Sequence, residues 1–271
     1  MDRLLVTGGS GMLGSNTAYL ARNRFETRLT YSAHRVEIEG CTSVEMDLRD
    51  RGEVIAAIEG FKPQLIIHTA AFLPAKLCEE NPVLARAINI DGVGYLCEAA
   101  RNLGAKIIHI STDWIFDGTK ESYVEHDAPN PLNAYGRSKL LGERVVQESG
   151  SNHCIIRTSL YGWNLRANKF CYLEMVLNTL EKGEEFLAPD DQFLAPILVN
   201  VLAEAMFEIY ARNVTGVLNV TGSERCSRYH LCREAADVFG LNGDLIKPVP
   251  LSSEYFGITT PRHQSLDVTK A

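Results

Sequence analysis

The sequence lacks the features that mark several large classes of protein. Its 271 residues contain no run of basic side chains, and a formal net charge of -7 does not favour binding to nucleic acid or to an anionic membrane surface. No apolar run reaches the length of a membrane span, and an apolar stretch that begins at Leu4 leaves no room for a signal peptide. These absences predict a cytoplasmic protein that binds neither nucleic acid nor a membrane.

Cysteine is present, but not at the spacing of metal sites. No two of the seven cysteines form a Cys-x-x-Cys pair, and none stands beside histidine at the spacing of metal ligands. We therefore predict free thiols, a reducing compartment and no metal site. The cysteines are Cys41, Cys78, Cys97, Cys154, Cys171, Cys226 and Cys232.

The segment from Val6 to Gly14 is the first positive signal. It reads Gly-x-x-Gly-x-x-Gly between an apolar run and a helical pattern. Glycine leaves no Cβ where the chain turns tightly and approaches a pyrophosphate, and the helix that follows directs free N–H groups at phosphate. The segment predicts a dinucleotide site, although a tight turn alone also fits it. The expected cofactor contacts are Gly8, Ser10, Gly11, Met12, Leu13 and Gly14.

The end of the second predicted strand, Thr27 to Tyr31, bears on the choice of cofactor. A site that prefers NAD usually has an acidic residue there to hold the ribose hydroxyls, whereas this chain continues Ser32-Ala33-His34-Arg35. Arg35 is suited to pair with a 2′-phosphate, with help from Ser32 and His34. We therefore expect NADP, with NAD still open, and a solvated loop arginine is the alternative.

Two further strand ends are expected to border the cofactor. Asp47 lies near the end of a third predicted strand, Ser43 to Leu48, where it suits either an adenine amino group or the cap of the next helix. Leu48 adjoins it. Ala70 and Ala71 follow a fourth apolar strand, and such small residues let a cofactor lie close to the backbone.

Asn89 interrupts the apolar side of a long predicted helix, Pro82 to Asn102. A polar side chain on the core face of a helix needs hydrogen-bond partners. Asn89 is therefore either a structural tie to neighbouring backbone or part of a proton path, and we count it among the residues on the cofactor side.

Two groups of residues point to proton transfer. A strand ends in Thr112 and Asp113, at the edge where open parallel sheets bind ligands. Tyr135 and Lys139 stand four apart in the predicted helix Ala134 to Glu148 and share one face. Such a pair is usually a solvated one, but beside a dinucleotide turn it predicts a catalytic site. We expect the Lys139 ammonium to lower the pKa of Tyr135 from about 10 toward working pH.

Three segments resemble the extended short-chain dehydrogenase/reductases and, within them, the dTDP-4-dehydrorhamnose reductase branch. They are Thr7 to Gly14, Ser111 to Gly118 and Tyr135 to Glu143. The resemblance continues through Asn219 to Tyr229 and Pro261 to Asp267.

The resemblance implies that a hydride from NAD(P)H reduces the keto carbon of a nucleotide-linked 4-keto-6-deoxysugar. Tyr135 is the implied proton donor. Lys139 is implied to tune it and to hold the nicotinamide ribose, while Thr112 orients the keto oxygen. Asp113 is implied either to contact substrate hydroxyls or to help place Tyr135.

The order of strands and helices predicts an α/β fold, namely a Rossmann-like doubly wound parallel sheet with a smaller interleaved C-terminal substrate lobe. We assign residues 1–157 and 191–220 to the dinucleotide-binding domain, and residues 158–190 and 221–271 to the lobe. A nucleotide-sugar substrate is the expected partner, and a homodimer is compatible with the chain. Four cations of the second half suit either a substrate diphosphate or solvent, namely Arg225, Arg228, Lys247 and Arg262.

Three departures from the family pattern lie on the expected sugar side. Trp114 follows the Thr-Asp pair where tyrosine is usual, and Leu160 follows Arg157-Thr158-Ser159 where many members have tryptophan. The segment after Ala70-Ala71 usually contains an acidic-lysine pair, whereas here it reads Phe72-Leu73-Pro74-Ala75-Lys76-Leu77-Cys78. These changes leave open a non-catalytic NADP-binding regulatory subunit, resembling that of methionine adenosyltransferase, and an epimerase that holds NAD tightly.

Overall fold

The computed structural model describes residues 1–166 and 169–271, in which strands alternate with helices. The strands are β1 (Arg3–Thr7), β2 (Glu26–Tyr31), β3 (Cys41–Glu45), β4 (Leu65–His68), β5 (Lys106–Ile110), β6 (Asn152–Arg157), β7 (Leu160–Tyr161), β8 (Phe186–Pro189), β9 (Phe193–Leu194), β10 (Ile197–Leu198), β11 (Gly216–Asn219), β12 (Cys226–Ser227) and β13 (Ile246–Val249). The helices are α1 (Met12–Ala21), α2 (Arg51–Phe61), α3 (Ala75–Glu80), α4 (Pro82–Arg86), α5 (Gly92–Leu103), α6 (Ala134–Glu148), α7 (Tyr172–Glu181), α8 (Val199–Ala211), α9 (Arg228–Val238) and α10 (Ser253–Phe256).

Seven strands form one parallel sheet in the order β3-β2-β1-β4-β5-β6-β11. Alternate strand residues enter separate cores, because helices cover both faces. Leu4 and Val6 pack with α1 and α8, whereas Leu5 packs with α2, α5 and α6. The predicted Rossmann-like class is confirmed. The strand order reverses between β1 and β4, and the carboxyl ends of these strands therefore border a crevice suited to a ligand.

A smaller lobe is built on the parallel pair β8 and β13. Helices α7 and α9 cover this pair through a separate apolar cluster that includes Val176, Leu180, Cys232, Ala236 and Ile246. The lobe is interleaved with the sheet, since α8 and β11 return to the large sheet between β8 and β13. The numerical domain boundaries assigned from the sequence stay a prediction.

Several boundaries differ from those predicted. The expected helix Pro82 to Asn102 is interrupted by a π-helical segment, Ala87–Asp91, between α4 and α5. A π-turn inserts an extra residue into a helix and is frequent at functional sites. Strand β3 ends before Asp47, and the short helix α3 was not predicted. Among the described residues, the structure contains no helix with the length and apolar character needed to cross a membrane.

Candidate active site

A cavity of about 830 Å³ lies at the carboxyl edge of the sheet. It brings together nearly all the catalytic and cofactor-binding residues predicted from the sequence, although they are spread along the first 140 residues. Of the residues assigned to catalysis or to cofactor binding, Arg35 and Asn89 do not line it, and neither does His34. The predicted residues in its wall are Gly8, Ser10, Gly11, Met12, Leu13, Gly14, Asp47, Leu48, Ala70, Ala71, Thr112, Asp113, Tyr135 and Lys139.

The glycine turn packs backbone directly against backbone. Gly8 has φ +71°, a conformation that favours glycine, and a Cβ added to Gly14 would lie 2.3 Å from the Gly8 carbonyl oxygen. Gly11 is the N-cap residue of α1, and no side chain caps the helix there. The first N–H groups of the ten-residue helix α1 are therefore available at the cavity, which suits a phosphate group.

The far end of the cavity is bordered by Asp47, whose carboxylate is held by Arg49 at 2.9 Å through Nε. The Arg49 side chain lowers the pKa of Asp47. The alternative that Asp47 caps the next helix is wrong, because Asp50 accepts the hydrogen bond from Glu53 N. Arg35 lies outside the cavity wall, 3.3 Å from the Glu37 carboxylate. Its pairing with a 2′-phosphate stays a prediction.

Thr112 and Asp113 follow β5 in a tight turn. The Thr112 hydroxyl accepts a hydrogen bond from Trp114 N at 3.2 Å and donates to Asp113 Oδ1 at 3.1 Å. Asp113 is only 3% exposed, and burial raises the pKa of its carboxyl group to about 7. Its Oδ2 has no protein partner among the described residues. The cavity wall therefore contains a carboxyl group that changes charge near neutral pH.

Tyr135 lies in the first turn of α6, which Asn133 caps by accepting a hydrogen bond from Gly136 N at 2.9 Å. Its ring meets Trp114 edge-on, with centroids 5.9 Å apart. Burial raises the pKa of the Tyr135 phenol above its usual range; the Thr112 hydroxyl lowers it, and the charge of Asp113 raises it. The expectation that Lys139 lowers this pKa is wrong, because desolvation dominates.

Lys139 is anchored at the end of β5. Its ammonium donates to the Ile110 carbonyl oxygen at 2.6 Å, and the side chain is 3% exposed. Burial lowers its pKa to about 8, while the nearby Glu143 carboxylate raises it. Glu143 is itself buried against Arg157 at 2.8 Å and accepts a hydrogen bond from Ser111. A buried polar network therefore fixes the base of the site.

Asn89 lies in the π-helical segment and is 1% exposed. Its Oδ1 accepts from Phe72 N at 2.7 Å, and its Nδ2 donates to Ser138 Oγ at 2.9 Å. These bonds tie the strand-end segment of Phe72 to α6, as expected of a structural residue. A direct contact with cofactor stays a prediction.

None of the four cations expected to meet a substrate diphosphate lines the cavity. Three of them lie near carboxylates instead. The distances are 2.8 Å for Arg225 to Glu121, 2.9 Å for Arg262 to Asp191 and 3.6 Å for Lys247 to Glu185. Arg228 donates to Gln192 and stacks near the Tyr172 ring.

The sequence reasoning missed one part of the wall, formed by Asn164, Lys169, Phe170 and Cys171. The available signal was the presence of two cations, Arg166 and Lys169, in the short connection between β7 and α7. In the described parts of the chain, no cluster of three or more histidine, cysteine or acidic side chains is arranged to hold a metal ion.

Comparisons with known proteins agree with this architecture. A relative named dTDP-4-dehydrorhamnose reductase, from Sinorhizobium fredii, is 33% identical over 237 residues, which are 83% of this chain and 74% of the relative. A relative named methionine adenosyltransferase 2 subunit beta, from Bos taurus, is 29% identical over 276 residues, covering 99% of this chain and 81% of the relative. The crystal structure of dTDP-4-dehydrorhamnose reductase from Bacillus anthracis in complex with NADP has a TM-score of 0.83 at 25% identity, covering 99% and 91% of the two chains.

The family described as RmlD substrate binding domain matches residues 1–271, and this match includes both walls of the cavity. The predicted resemblance to the dTDP-4-dehydrorhamnose reductase branch is confirmed by the same match. The chain therefore belongs to the RmlD substrate binding domain family.

Proposed function

We propose that the protein is an NADP-dependent reductase of a nucleotide-linked 4-keto-6-deoxysugar, of the dTDP-4-dehydrorhamnose reductase type. The observation that carries the proposal is the convergence of the glycine turn with Thr112, Tyr135 and Lys139 on one cavity. The name of the Sinorhizobium relative and the NADP in the Bacillus structure support it.

The residues around the glycine turn fit a dinucleotide. The N terminus of α1 presents backbone N–H groups to the pyrophosphate, and the small side chains of Ala70 and Ala71 leave room for a flat ring system beside β4. When bound, NADPH supplies the hydride that reduces the keto carbon. In this proposal Lys139 holds the nicotinamide ribose.

Tyr135 delivers the proton in the proposed reaction. Because burial raises its pKa, the phenol keeps its proton at neutral pH and releases it only as negative charge develops on the keto oxygen. The neighbouring Thr112 hydroxyl holds the same oxygen. The buried Lys139 ammonium, on the same face of α6, stabilises the phenolate that remains.

Asp113 completes the substrate side as a carboxyl group with a pKa of about 7. Its unpartnered, buried Oδ2 suits a sugar hydroxyl, which can donate to the carboxylate or accept from the acid. The departures from the family pattern also border this region, since Trp114, Leu160 and the segment Phe72 to Ala75 line the cavity. These departures bear on the identity of the sugar and not on the reaction type. A nucleotide-sugar partner, a homodimer and a cytoplasmic location are further parts of the proposal.

The experiment is a turnover assay with NADPH and a panel of nucleotide-4-keto-6-deoxysugars, prepared in situ by a nucleotide-sugar dehydratase. We expect NADPH oxidation with at least one sugar, followed by absorbance, and no oxidation when the dehydratase product is omitted. Tight NADPH binding without turnover on any sugar would contradict the reductase.

A non-catalytic, NADP-binding regulatory subunit is the second candidate. The bovine relative named methionine adenosyltransferase 2 subunit beta matches 99% of this chain, which is the observation that favours it. The same assay separates the two, because a regulatory subunit would bind NADPH without oxidising it and would change the kinetics of an added methionine adenosyltransferase catalytic subunit.

A further inference from the structure

The cavity has little positive charge for the ligands it is proposed to hold. NADP and a nucleotide sugar both carry a diphosphate, whereas the described side chains of the wall include only two cations, Lys139 and Lys169. The Lys139 ammonium is buried and already donates to the Ile110 carbonyl oxygen. Lys169 is therefore the accessible cation of this wall.

The chain near Lys169 is attached to the helix that follows the glycine turn. Asn16 of α1 donates from Nδ2 to the Trp163 carbonyl oxygen at 2.8 Å. The Trp163 ring packs edge-on against Phe239 of the lobe, with centroids 5.4 Å apart. These contacts hold Trp163, near the start of the connection between β7 and α7, against α1 on one side and the lobe on the other.

Both ends of this connection are tied to one carboxylate. Glu174 accepts hydrogen bonds from Asn164 N at 3.0 Å, from Asn164 Nδ2 at 2.6 Å and from Cys171 N at 2.6 Å. Cys171 also donates through Sγ to the Gly162 carbonyl oxygen at 2.9 Å. We call the contacts of Glu174 with Asn164 and Cys171 the Glu174 clamp. The clamp sets the position of Lys169, which lies two residues before Cys171.

The electrostatic surroundings of Lys169 favour an anion. Desolvation and the charge of Arg166 both lower the pKa of its ammonium, and no carboxylate among the described residues offsets them. Two neighbouring cations repel each other, and a phosphate between or beside them relieves that repulsion while accepting charge-assisted hydrogen bonds.

We propose that Lys169, positioned by the Glu174 clamp, binds a diphosphate of a ligand in the cavity. Arg166 adds to the local positive charge. The inference deepens the proposed function, on which it rests for the expectation that the ligands carry diphosphates. The shared chemistry is the diphosphate, which belongs either to the dinucleotide or to the nucleotide sugar.

The test compares Lys169→Met with Lys182→Met, a matched loss of an exposed lysine at the end of α7. NADPH binding is followed by its fluorescence, and dTDP binding by calorimetry, so that neither readout needs turnover. We expect Lys169→Met to weaken one of the two ligands by about 10-fold or more, as for the loss of a charge-assisted hydrogen bond. Lys182→Met and Lys169→Arg should stay within about twofold of the parent protein.

The outcomes identify the source of the diphosphate. Weaker NADPH binding assigns Lys169 to the cofactor, and weaker dTDP binding assigns it to the substrate. Unchanged affinity for both ligands would overturn the inference, as would a parent protein that binds neither. A protein that binds NADPH in a Lys169-dependent way but oxidises none of it would contradict the reductase and leave this inference standing.

Glu174→Gln tests the clamp as a positioning device. The variant keeps both cations but weakens the hold on Asn164 and Cys171, so the affinity for the same ligand should fall. In the double variant with Lys169→Met, the two losses should not add, because Glu174 acts through Lys169. Fully additive losses, or a fall in thermal stability with unchanged affinity, would contradict a positioning role.

Discussion

The two walls of the cavity differ in how their residues are held. The sheet-side wall, which includes Gly8 to Gly14, Thr112, Tyr135 and Lys139, rests on strand ends and on a buried ion pair beneath them. The lobe-side wall, which includes Asn164 and Lys169 to Cys171, is a connection held by a few hydrogen bonds. The difference teaches that the residues proposed for catalysis stand on strand ends and on α6, whereas the residue proposed to bind a diphosphate, Lys169, stands on a connection between elements.

The largest expected difference in stability is between two ion pairs. One is buried beneath the sheet-side wall, and the other is exposed outside the cavity. Arg157 and Glu143 are both nearly inaccessible and lie 2.8 Å apart, whereas the Arg262 side chain is 56% exposed beside Asp191. Arg157→Met leaves a buried carboxylate without its partner and should cost about 3–5 kcal/mol in the free energy of unfolding. Arg262→Met should cost no more than about 1 kcal/mol. Urea denaturation measures both, and equal losses would remove the contrast.

The second contrast is between two glycines, one packed closely against the backbone of Gly8 and one with open space around it. Gly14→Ala would place a Cβ 2.3 Å from the Gly8 carbonyl oxygen, whereas a Cβ at Gly60 meets no atom within 4 Å. Gly14→Ala should therefore cost about 1–3 kcal/mol and weaken NADPH binding, since the turn must open. Gly60→Ala, within α2, should be neutral or stabilise the protein by about 1 kcal/mol. Thermal unfolding and NADPH titration of both variants provide the check; unaltered NADPH affinity in Gly14→Ala would refute the close-packed turn as a requirement.

The smallest effect is expected on cofactor preference, at Arg35, which lies outside the cavity wall. Arg35→Ala should lower the preference for NADPH over NADH by about 10-fold if the guanidinium leaves Glu37 to meet the 2′-phosphate. Arg212→Ala, which removes an exposed arginine paired with Glu208, is the control. The ratio of the two dissociation constants is the measurement, and an unchanged ratio would show that the preference has another origin.

The residues of the sheet-side wall could be predicted from the sequence because the patterns that identify them are local. The spacing of Gly8, Gly11 and Gly14 defines a turn by itself, and Tyr135 and Lys139 share a helix face whatever surrounds them. The predicted bounds of α6 agree with the structure for the same reason, since Asn133 provides its own N-cap.

The features of the site that could not be predicted depend on contacts between residues far apart in the sequence. The pKa of Tyr135 follows from burial, which no spacing of residues reveals, and the expected direction was therefore wrong. Asn89, in the π-helical segment, bonds to Phe72, seventeen positions away in the chain. Asn16 of α1 binds the Trp163 carbonyl oxygen across a separation of 147 residues. The sequence could not show that a cation such as Arg262 pairs with an acidic residue such as Asp191, because this contact forms only when the chain folds.

The most direct test of the central claim is the rate of Tyr135→Phe in the turnover assay, with Tyr19→Phe, an exposed tyrosine of α1, as control. If Tyr135 donates the proton, kcat should fall about 100-fold or more while NADPH affinity stays within about twofold. Tyr19→Phe should leave both quantities unchanged. An undiminished kcat in Tyr135→Phe would contradict the assignment of this cavity as a reductase site that uses Tyr135.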